Sequence, residues 1–261
     1  MQVSGAMRGT SATAAGTRPT PVTLDRQRTR LATGVAIALA ITATLAIAYV
    51  LARLAAADLG LVVRALVYAL LGGGLLAWLA AKHHEAPTFG AANAVTLARG
   101  ALALDLLALL GGPPSRVLAW SIVALALTAL ALDGVDGKVA RSRGETSAFG
   151  ARFDLETDAL LVLVLCALAW QQGKVGAWIL LAGALRYLFV AAGFALPWLA
   201  RALPPSRRRQ TVCVAQIASL IVCLLPIVVP PASHLIALAG LVLLLASFAA
   251  DVVWLARDSN A

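Results

Sequence analysis

Half of the acidic residues of this chain lie in one short stretch, residues 133–158, which reads DGVDGKVARSRGETSAFGARFDLETD. Asp133 and Asp136 are three residues apart at the end of one apolar run, and Asp154 and Asp158 are four residues apart at the start of the next. On helices, both spacings place the two side chains on one face. Because a short connection joins the two runs, the sequence predicts neighbouring antiparallel helices whose four carboxylates converge.

Converging carboxylates are the kind of site that binds cations. Four negative charges repel one another strongly wherever water screens them poorly, so the cluster is expected to hold positive ions. Ligands that are all oxygen favour a hard ion such as Mg²⁺ or Mn²⁺. The stretch contains no His, which argues against zinc. Carboxylates that are merely solvated in a loop are the alternative, but four at these spacings favour the metal site.

The neighbours of the carboxylates predict what the ions would bind. Gly137, Ala140 and Gly150 would let a bulky ligand approach the backbone, while Lys138 and Arg141 add positive charge. Arginine can bind a phosphate through two parallel hydrogen bonds. A pair of ions that bridges a diphosphate stabilises both the attacking and the leaving oxygens of a displacement. A remaining carboxylate could remove a proton from an incoming hydroxyl group.

The composition excludes a water-soluble globule. The chain has 261 residues, of which 61% are hydrophobic and 13% charged, whereas soluble domains carry about 25% charged residues. Apolar runs long enough to cross a bilayer as helices recur along the sequence, and the alternating segments of a membrane β-barrel do not. The predicted fold class is therefore an all-α, polytopic transmembrane helix bundle of about eight spans. These spans cover residues 33–56, 60–81, 93–111, 116–134, 152–171, 175–198, 211–229 and 234–256.

The basic residues predict the orientation of the bundle. The net charge of +9 does not indicate nucleic-acid binding, because Lys and Arg lie between the apolar runs rather than on one face. They are concentrated in the N-terminal segment and in alternate connections, such as 82–85 and 201–209, whereas the opposite connections hold only Arg53, Arg116 and Lys174. The positive-inside rule then places the N-terminus and the acidic stretch on the cytoplasmic side. Anionic membrane lipids are the expected counter-ions.

The acidic stretch resembles the signature of the CDP-alcohol phosphatidyltransferases, a family of integral membrane enzymes. Eight positions carry the resemblance: Asp133, Asp136, Gly137, Ala140, Arg141, Gly150, Asp154 and Asp158. The resemblance implies a six-helix core with an active site open to the cytoplasm. It implies transfer of a phosphatidyl group from CDP-diacylglycerol to an alcohol acceptor, with release of CMP and with divalent cations, in phospholipid biosynthesis. A few relatives instead transfer a phosphoalcohol from a CDP-alcohol to a lipid.

The resemblance also implies a role for each matching residue. Asp133, Asp136 and Asp154 are expected to bind two Mg²⁺ or Mn²⁺ ions. Asp158 is expected to act as the general base and to contact the second ion. The expected CDP-lipid pocket includes further residues of the motif and a hydroxyl side chain between its two halves: Gly137, Ala140, Arg141, Ser147 and Gly150.

A second stretch, NAVTLAR (93–99), is similar to the start of the first core helix of the family. Asn93 and Thr96 share a helix face at the expected depth of the acidic cluster, and they are expected to contact the CDP-lipid; a helix cap near Asn93 is the alternative. The predicted division of the chain is a disordered basic cytoplasmic tail (1–31), two extra transmembrane helices (32–85) and the six-helix core (86–257).

Other polar residues lie near or inside the predicted spans. Arg186 falls in the middle of a span, where a charge usually faces the bundle interior with a partner. It is predicted to bind the acceptor, with a structural ion pair to Asp105 as the alternative. Arg207 is a second candidate for acceptor binding, although a polybasic loop also fits the positive-inside rule alone. Asp251 is expected to pair with Arg257 or with an arginine of the loop.

Several questions stay open at the level of sequence. A cation transporter that uses the acidic cluster is an alternative of another class, but transporters place such groups near the midplane in inverted repeats. The acceptor is undefined among glycerol phosphate, inositol or its phosphate, serine and others. Composition rich in Ala, Leu, Arg and Gly fits a bacterial cell membrane as the location, and a homodimer is possible.

Overall fold

Every regular element in the described part of the chain is a helix. The computed structural model describes residues 21–83, 90–143, 147–201, 203–204 and 206–258. Two short 3₁₀ segments, Ala177–Ile179 and Pro197–Ala200, flank the sixth α-helix. The eight α-helices are α1 (Pro21–Leu54), α2 (Gly60–His83), α3 (Ala91–Ala108), α4 (Arg116–Arg143), α5 (Ala148–Gln171), α6 (Leu180–Ala195), α7 (Arg207–Leu224) and α8 (Ala232–Asp258).

The helices confirm an all-α membrane protein. Among the described residues, six helical segments are long and apolar enough to cross a bilayer, in α1, α2, α3, α4, α8 and the stretch from 177 to 195. The other two helices carry charged side chains in their N-terminal parts, α5 from Arg152 to Asp158 and α7 in its three leading arginines. Large apolar side chains remain uncovered on the outer faces, such as Leu39 and Leu71, each about two-thirds exposed. In a bilayer these faces lie against lipid tails.

Some helix boundaries differ from the predicted ones for local reasons. α1 begins at Pro21, within the segment predicted to be a disordered tail, while residues 1–20 lie outside the described part. The predicted span 175–198 is shorter as an α-helix because Leu196 precedes a proline, which disfavours helical backbone at that residue. α7 ends at Leu224 for the same reason, since Leu225 precedes Pro226.

α3 lies at the centre of the bundle and contacts α1, α2, α4 and α5. Its residues Ala103, Leu106 and Ala108 are completely buried. The two N-terminal helices pack closely against it because α2 carries glycine at the contacts. A Cβ atom on Gly72 would lie 2.9 Å from Leu104 Cδ1 of α3, and one on Gly73 would lie 2.9 Å from Ile37 Cγ2 of α1. The N-terminal pair is thus packed directly on the core.

Hydrogen bonds at the end of the bundle remote from the acidic stretch fix the connections there. Lys174 Nζ donates to the carbonyl oxygens of Leu225 (3.0 Å) and Val228 (2.6 Å) in the α7–α8 connection. Gln171 Oε1 at the end of α5 accepts from the backbone N–H of Gly111 (2.7 Å) after α3. The bond between Gln171 and Gly111 fixes α3 and α5 relative to each other at this end of the bundle. The two helices are therefore also held in register at their opposite ends, which carry the acidic site.

Candidate active site

Three of the four predicted carboxylates, one from α4 and two from α5, meet at Arg99 of α3, which packs between those two helices. Asp133 lies in the C-terminal half of α4, and Asp154 and Asp158 lie in the first three turns of α5. One carboxylate oxygen from each residue lies within 4.8 Å of those of the other two. The cluster is partly open, since the Asp133, Asp154 and Asp158 side chains are 23%, 43% and 18% exposed. The spacing argument therefore placed these three side chains correctly.

The start of α5 positions two of these carboxylates. Ser147 is the N-cap of the helix, and its hydroxyl accepts a hydrogen bond from the backbone N–H of Gly150 (2.9 Å). This cap satisfies one of the free N–H groups in the first turn and fixes where the helix begins. Asp154 and Asp158 follow four residues apart, so both lie on the face of α5 that meets α3.

Arg99 of α3 bonds all three carboxylates and is itself completely buried. Its Nη1 atom lies 2.5 Å from Asp154 Oδ1, and its Nη2 atom lies 2.9 Å from Asp133 Oδ1 and also contacts Asp158 Oδ1. The guanidinium group thereby joins α3, α4 and α5 at the site. Arg99 is the last residue of the NAVTLAR stretch, but it was not among the residues predicted to form the site. The position of Arg99 could have identified it as a site residue. It lies three residues beyond Thr96 on the same helix face, and it lies inside an apolar run, where a charge needs a partner.

One arginine does not neutralise this cluster. Three ionised carboxylates carry −3 and Arg99 carries +1, which leaves −2 before Asp136 is counted. The donors are all oxygen, they lie close together and they are open to one side, so the set fits a hard divalent cation. Asp136 belongs to α4 through its backbone, but its side chain lies outside the described residues, as do those of Lys138 and Arg141. The predicted positions Gly137 and Ala140 likewise lie in this helix.

The residues predicted to contact the CDP-lipid on α3 lie beside the cluster. Asn93 and Thr96 are buried on the same face as Arg99. The N-cap of α3 is Gly90, three residues before Asn93, and among the described residues no side chain makes a cap hydrogen bond there. Asn93 packs instead against the first turn of α5, where a Cβ atom on Gly150 would lie only 2.7 Å from Asn93 Oδ1. A larger residue at position 150 would therefore require the Asn93 side chain to shift.

The two candidate acceptor residues have different surroundings. Arg186 Nη2 on α6 bonds Glu156 Oε1 on α5, so the proposed pair with Asp105 is wrong. Glu156 lies on a different face of α5 from Asp154 and Asp158, and that face meets α6. Among the described residues neither carboxylate oxygen of Asp105 has a hydrogen-bond partner. Arg207 lies exposed at the start of α7.

Asp251 on α8 is held by the arginines that follow Arg207. Arg208 Nη2 bonds its carboxylate, and Arg209 Nη1 lies 3.3 Å from the same oxygen. Arg208 also donates to the backbone oxygen of Ser247 (2.6 Å). The prediction that Asp251 pairs with an arginine of the connection 201–209 is confirmed. Both arginines lie at the start of α7. Much of the polybasic run therefore joins α7 to α8.

Fold and site together define an integral membrane protein with a cluster of acidic side chains where three of its helices meet. A sequence model described as CDP-alcohol phosphatidyltransferase matches residues 89–251, which is 163 of the 261 residues. The chain belongs to the CDP-alcohol phosphatidyltransferase family. The match begins just before α3 and ends within α8, so α1 and α2 lie outside it. Comparison with curated proteins and with solved structures gives no match.

Proposed function

We propose that this protein transfers the phosphatidyl group of CDP-diacylglycerol to an alcohol acceptor and releases CMP. The observation that carries the proposal is the convergence of Asp133, Asp154 and Asp158 around Arg99 within the segment that matches the family. Asp133 lies at the end of the apolar span of α4, and Asp154 lies near the start of α5. This position suits a headgroup reaction at the membrane surface better than ion transport through the bilayer.

Asp158 is the proposed general base. Its Oδ1 atom is bound by Arg99, while Oδ2 faces the Cys213 Sγ atom at 3.7 Å. A thiol is a weak hydrogen-bond donor, so Oδ2 retains the capacity to accept a proton. In the proposed step Oδ2 takes the proton of the acceptor hydroxyl, whose oxygen forms a bond to the β-phosphorus. The bond from that phosphorus to the bridging oxygen breaks, and CMP leaves with the electron pair.

The remaining carboxylates are the proposed ligands of Mg²⁺ or Mn²⁺. Asp133, Asp136 and Asp154, with Asp158, would hold two ions, and such ions neutralise the charge of a diphosphate. Arg99 orients the carboxylates from within the bundle. Asn93, Thr96, Ser147, Gly150 and the α4 residues Gly137, Ala140 and Arg141 are proposed to form the CDP-lipid pocket. Arg186 and Arg207 are proposed to meet the acceptor. We further propose that the site faces the cytoplasm of a bacterial cell and that the enzyme forms a homodimer.

The test is CMP release by purified protein with CDP-diacylglycerol, Mn²⁺ or Mg²⁺ and a panel of acceptors: glycerol phosphate, inositol, inositol phosphate and serine. Asp158→Asn should reduce turnover by at least about 10²-fold, the lower end of what general-base catalysis contributes. Asp58→Asn, the same change at an exposed carboxylate in the α1–α2 connection, is the matched control. EDTA should stop CMP release, and added Mn²⁺ should restore it.

Three results would contradict parts of the proposal. An active Asp158→Asn enzyme would remove Asp158 as the base. CMP formed only from a CDP-alcohol with a diacylglycerol acceptor would establish the phosphoalcohol direction instead. Cation flux into liposomes without CDP-lipid, and without CMP release in any mixture, would favour the transporter.

A further inference from the structure

A cavity of about 490 Å³ lies between the N-terminal helix pair and the core helices α3, α5 and α6. Its volume is in the range of roughly 300–1,000 Å³ that is usual for ligand sites. Most of its walls are aliphatic, contributed by α1, α2 and α3. An apolar cavity of this kind loses dispersion contacts on every wall unless an apolar group fills it.

The cavity adjoins the acidic site. Gly100 and Thr157 both line it, and they are the residues next to Arg99 and Asp158 in the sequence. A Cβ atom on Gly100 would lie 3.9 Å from Thr157 Oγ1, so the two helices are close to contact at this point. The cavity and the carboxylates are therefore separated by little more than one layer of side chains.

The residues that line the cavity are spread along several helices and include the level of the acidic site. On α2 its lining runs from Ala69 to Leu79, and on α3 from Leu97 to Leu104. Ten residues of helix extend about 15 Å, which is half of the roughly 30 Å hydrocarbon core of a bilayer. This length corresponds to the depth of one leaflet, which is the depth that a lipid chain occupies.

The polar groups of the lining come from the core helices. Glu156 and Thr157 on α5 and Tyr187 on α6 line the cavity, and Glu156 is bound by Arg186. The N-terminal pair contributes the opposite wall, which is apolar apart from Thr44, a buried side chain. α1 and α2 lie outside the segment that matches the family, so this wall is an addition to the common core.

We infer that this cavity binds one hydrocarbon chain of the CDP-lipid donor, with α1 and α2 as the outer wall of the chain pocket. The inference rests on the proposed function, because the donor headgroup must lie at the acidic site for its chain to reach the cavity. The cavity then selects donors by chain length, and the N-terminal pair has a role in substrate recognition.

Ala40 on α1 offers a variant that fills the cavity without touching the acidic site. Ala40 lines the cavity and is partly buried, whereas Ala38 on the same helix is exposed toward lipid. Ala40→Phe is the test variant and Ala38→Phe the matched control. CMP release is measured with CDP-dioleoylglycerol and with CDP-dihexanoylglycerol, whose chains are too short to extend through the cavity.

Ala40→Phe should raise the KM for the dioleoyl donor by about tenfold or more, since excluding two or more methylene groups has this effect. The KM for the dihexanoyl donor should stay within about twofold, as should both values for Ala38→Phe. Equal effects of the two variants, or an equal effect on both donors, would overturn the inference.

Photolabelling tests the cavity independently of turnover. A CDP-diacylglycerol that carries a diazirine at the end of one chain should label lining residues of α1 and α2, and Ala40→Phe should abolish this labelling. Labels confined to lipid-facing residues would refute the inference. Competition by excess dioleoylphosphatidylcholine that is as effective as competition by unlabelled donor would refute it as well. Absence of CMP from the wild-type protein in every mixture would count against the proposed function, and the labelling would still decide whether the cavity binds the chain.

Discussion

Replacing Arg99 with glutamine should destabilise the protein and make it depend on divalent cations. The change removes a positive charge that contacts all three carboxylates, and it takes the summed charge of these four side chains from −2 to −3 when the carboxylates are ionised. Removal of one partner from a buried ion-pair network costs about 3–5 kcal/mol. Arg99 is completely buried, but its partners are 18–43% exposed, so water and ions can compensate in part. We therefore expect a loss near the lower end, about 3 kcal/mol in the free energy of unfolding.

The loss is measured by unfolding in mixed micelles of mild detergent and SDS, with and without Mn²⁺. Mn²⁺ should stabilise Arg99→Gln more than it stabilises the wild type, because the variant has one positive charge fewer beside the carboxylates. Arg116→Gln, at an exposed position at the start of α4, is the matched control and should change little. If Arg99→Gln unfolds like the wild type without Mn²⁺, or if Mn²⁺ stabilises both proteins equally, the reasoning about the cluster is wrong.

Two further substitutions test other contacts of the site. Gly150→Ala places a methyl group 2.7 Å from Asn93 Oδ1. The change should therefore lower the free energy of unfolding by about 1–3 kcal/mol and raise the KM for the CDP-lipid in the CMP-release assay. Wild-type values for both quantities would show that the α3–α5 contact is loose. Arg186→Gln breaks the pair with Glu156, whose side chain is more than half exposed, so stability should fall by less than about 1 kcal/mol. An acceptor role predicts a raised KM for the acceptor with an unchanged KM for the donor, and equal changes in both would reject it.

Periodicity and charge spacing were sufficient to predict the helix class and most of the acidic cluster. Spacings of three and four residues hold wherever a helix is regular, so Asp154 and Asp158 could be placed on one face of α5 from sequence alone. The connection between the motif halves is short, which limited the ways in which Asp133 could be arranged relative to them. The same reasoning identified the α3 face that carries Asn93 and Thr96.

Contacts between helices that are distant in the sequence could not be predicted in this way. Arg186 was assigned by depth alone, and depth does not reveal that Glu156 faces α6. Arg99 is 34 residues from the first of its carboxylate partners, Asp133, and only the packing of α3 between α4 and α5 brings them together. The cavity depends on how α1 and α2 pack, and the close contacts there are made at Gly72 and Gly73.

The position of Arg99 explains how so polar a cluster is tolerated in a mostly apolar chain. A charge buried in a membrane bundle is costly unless it is paired, and each of the three carboxylates is paired with the same guanidinium group. That arrangement leaves one face of the cluster open to ligands and fixes α3 against α5. The same contact places Gly100 and Thr157 at the edge of the apolar cavity. Arg99 therefore connects the charged part of the site with the part that we assign to the lipid chain, and its loss should affect both.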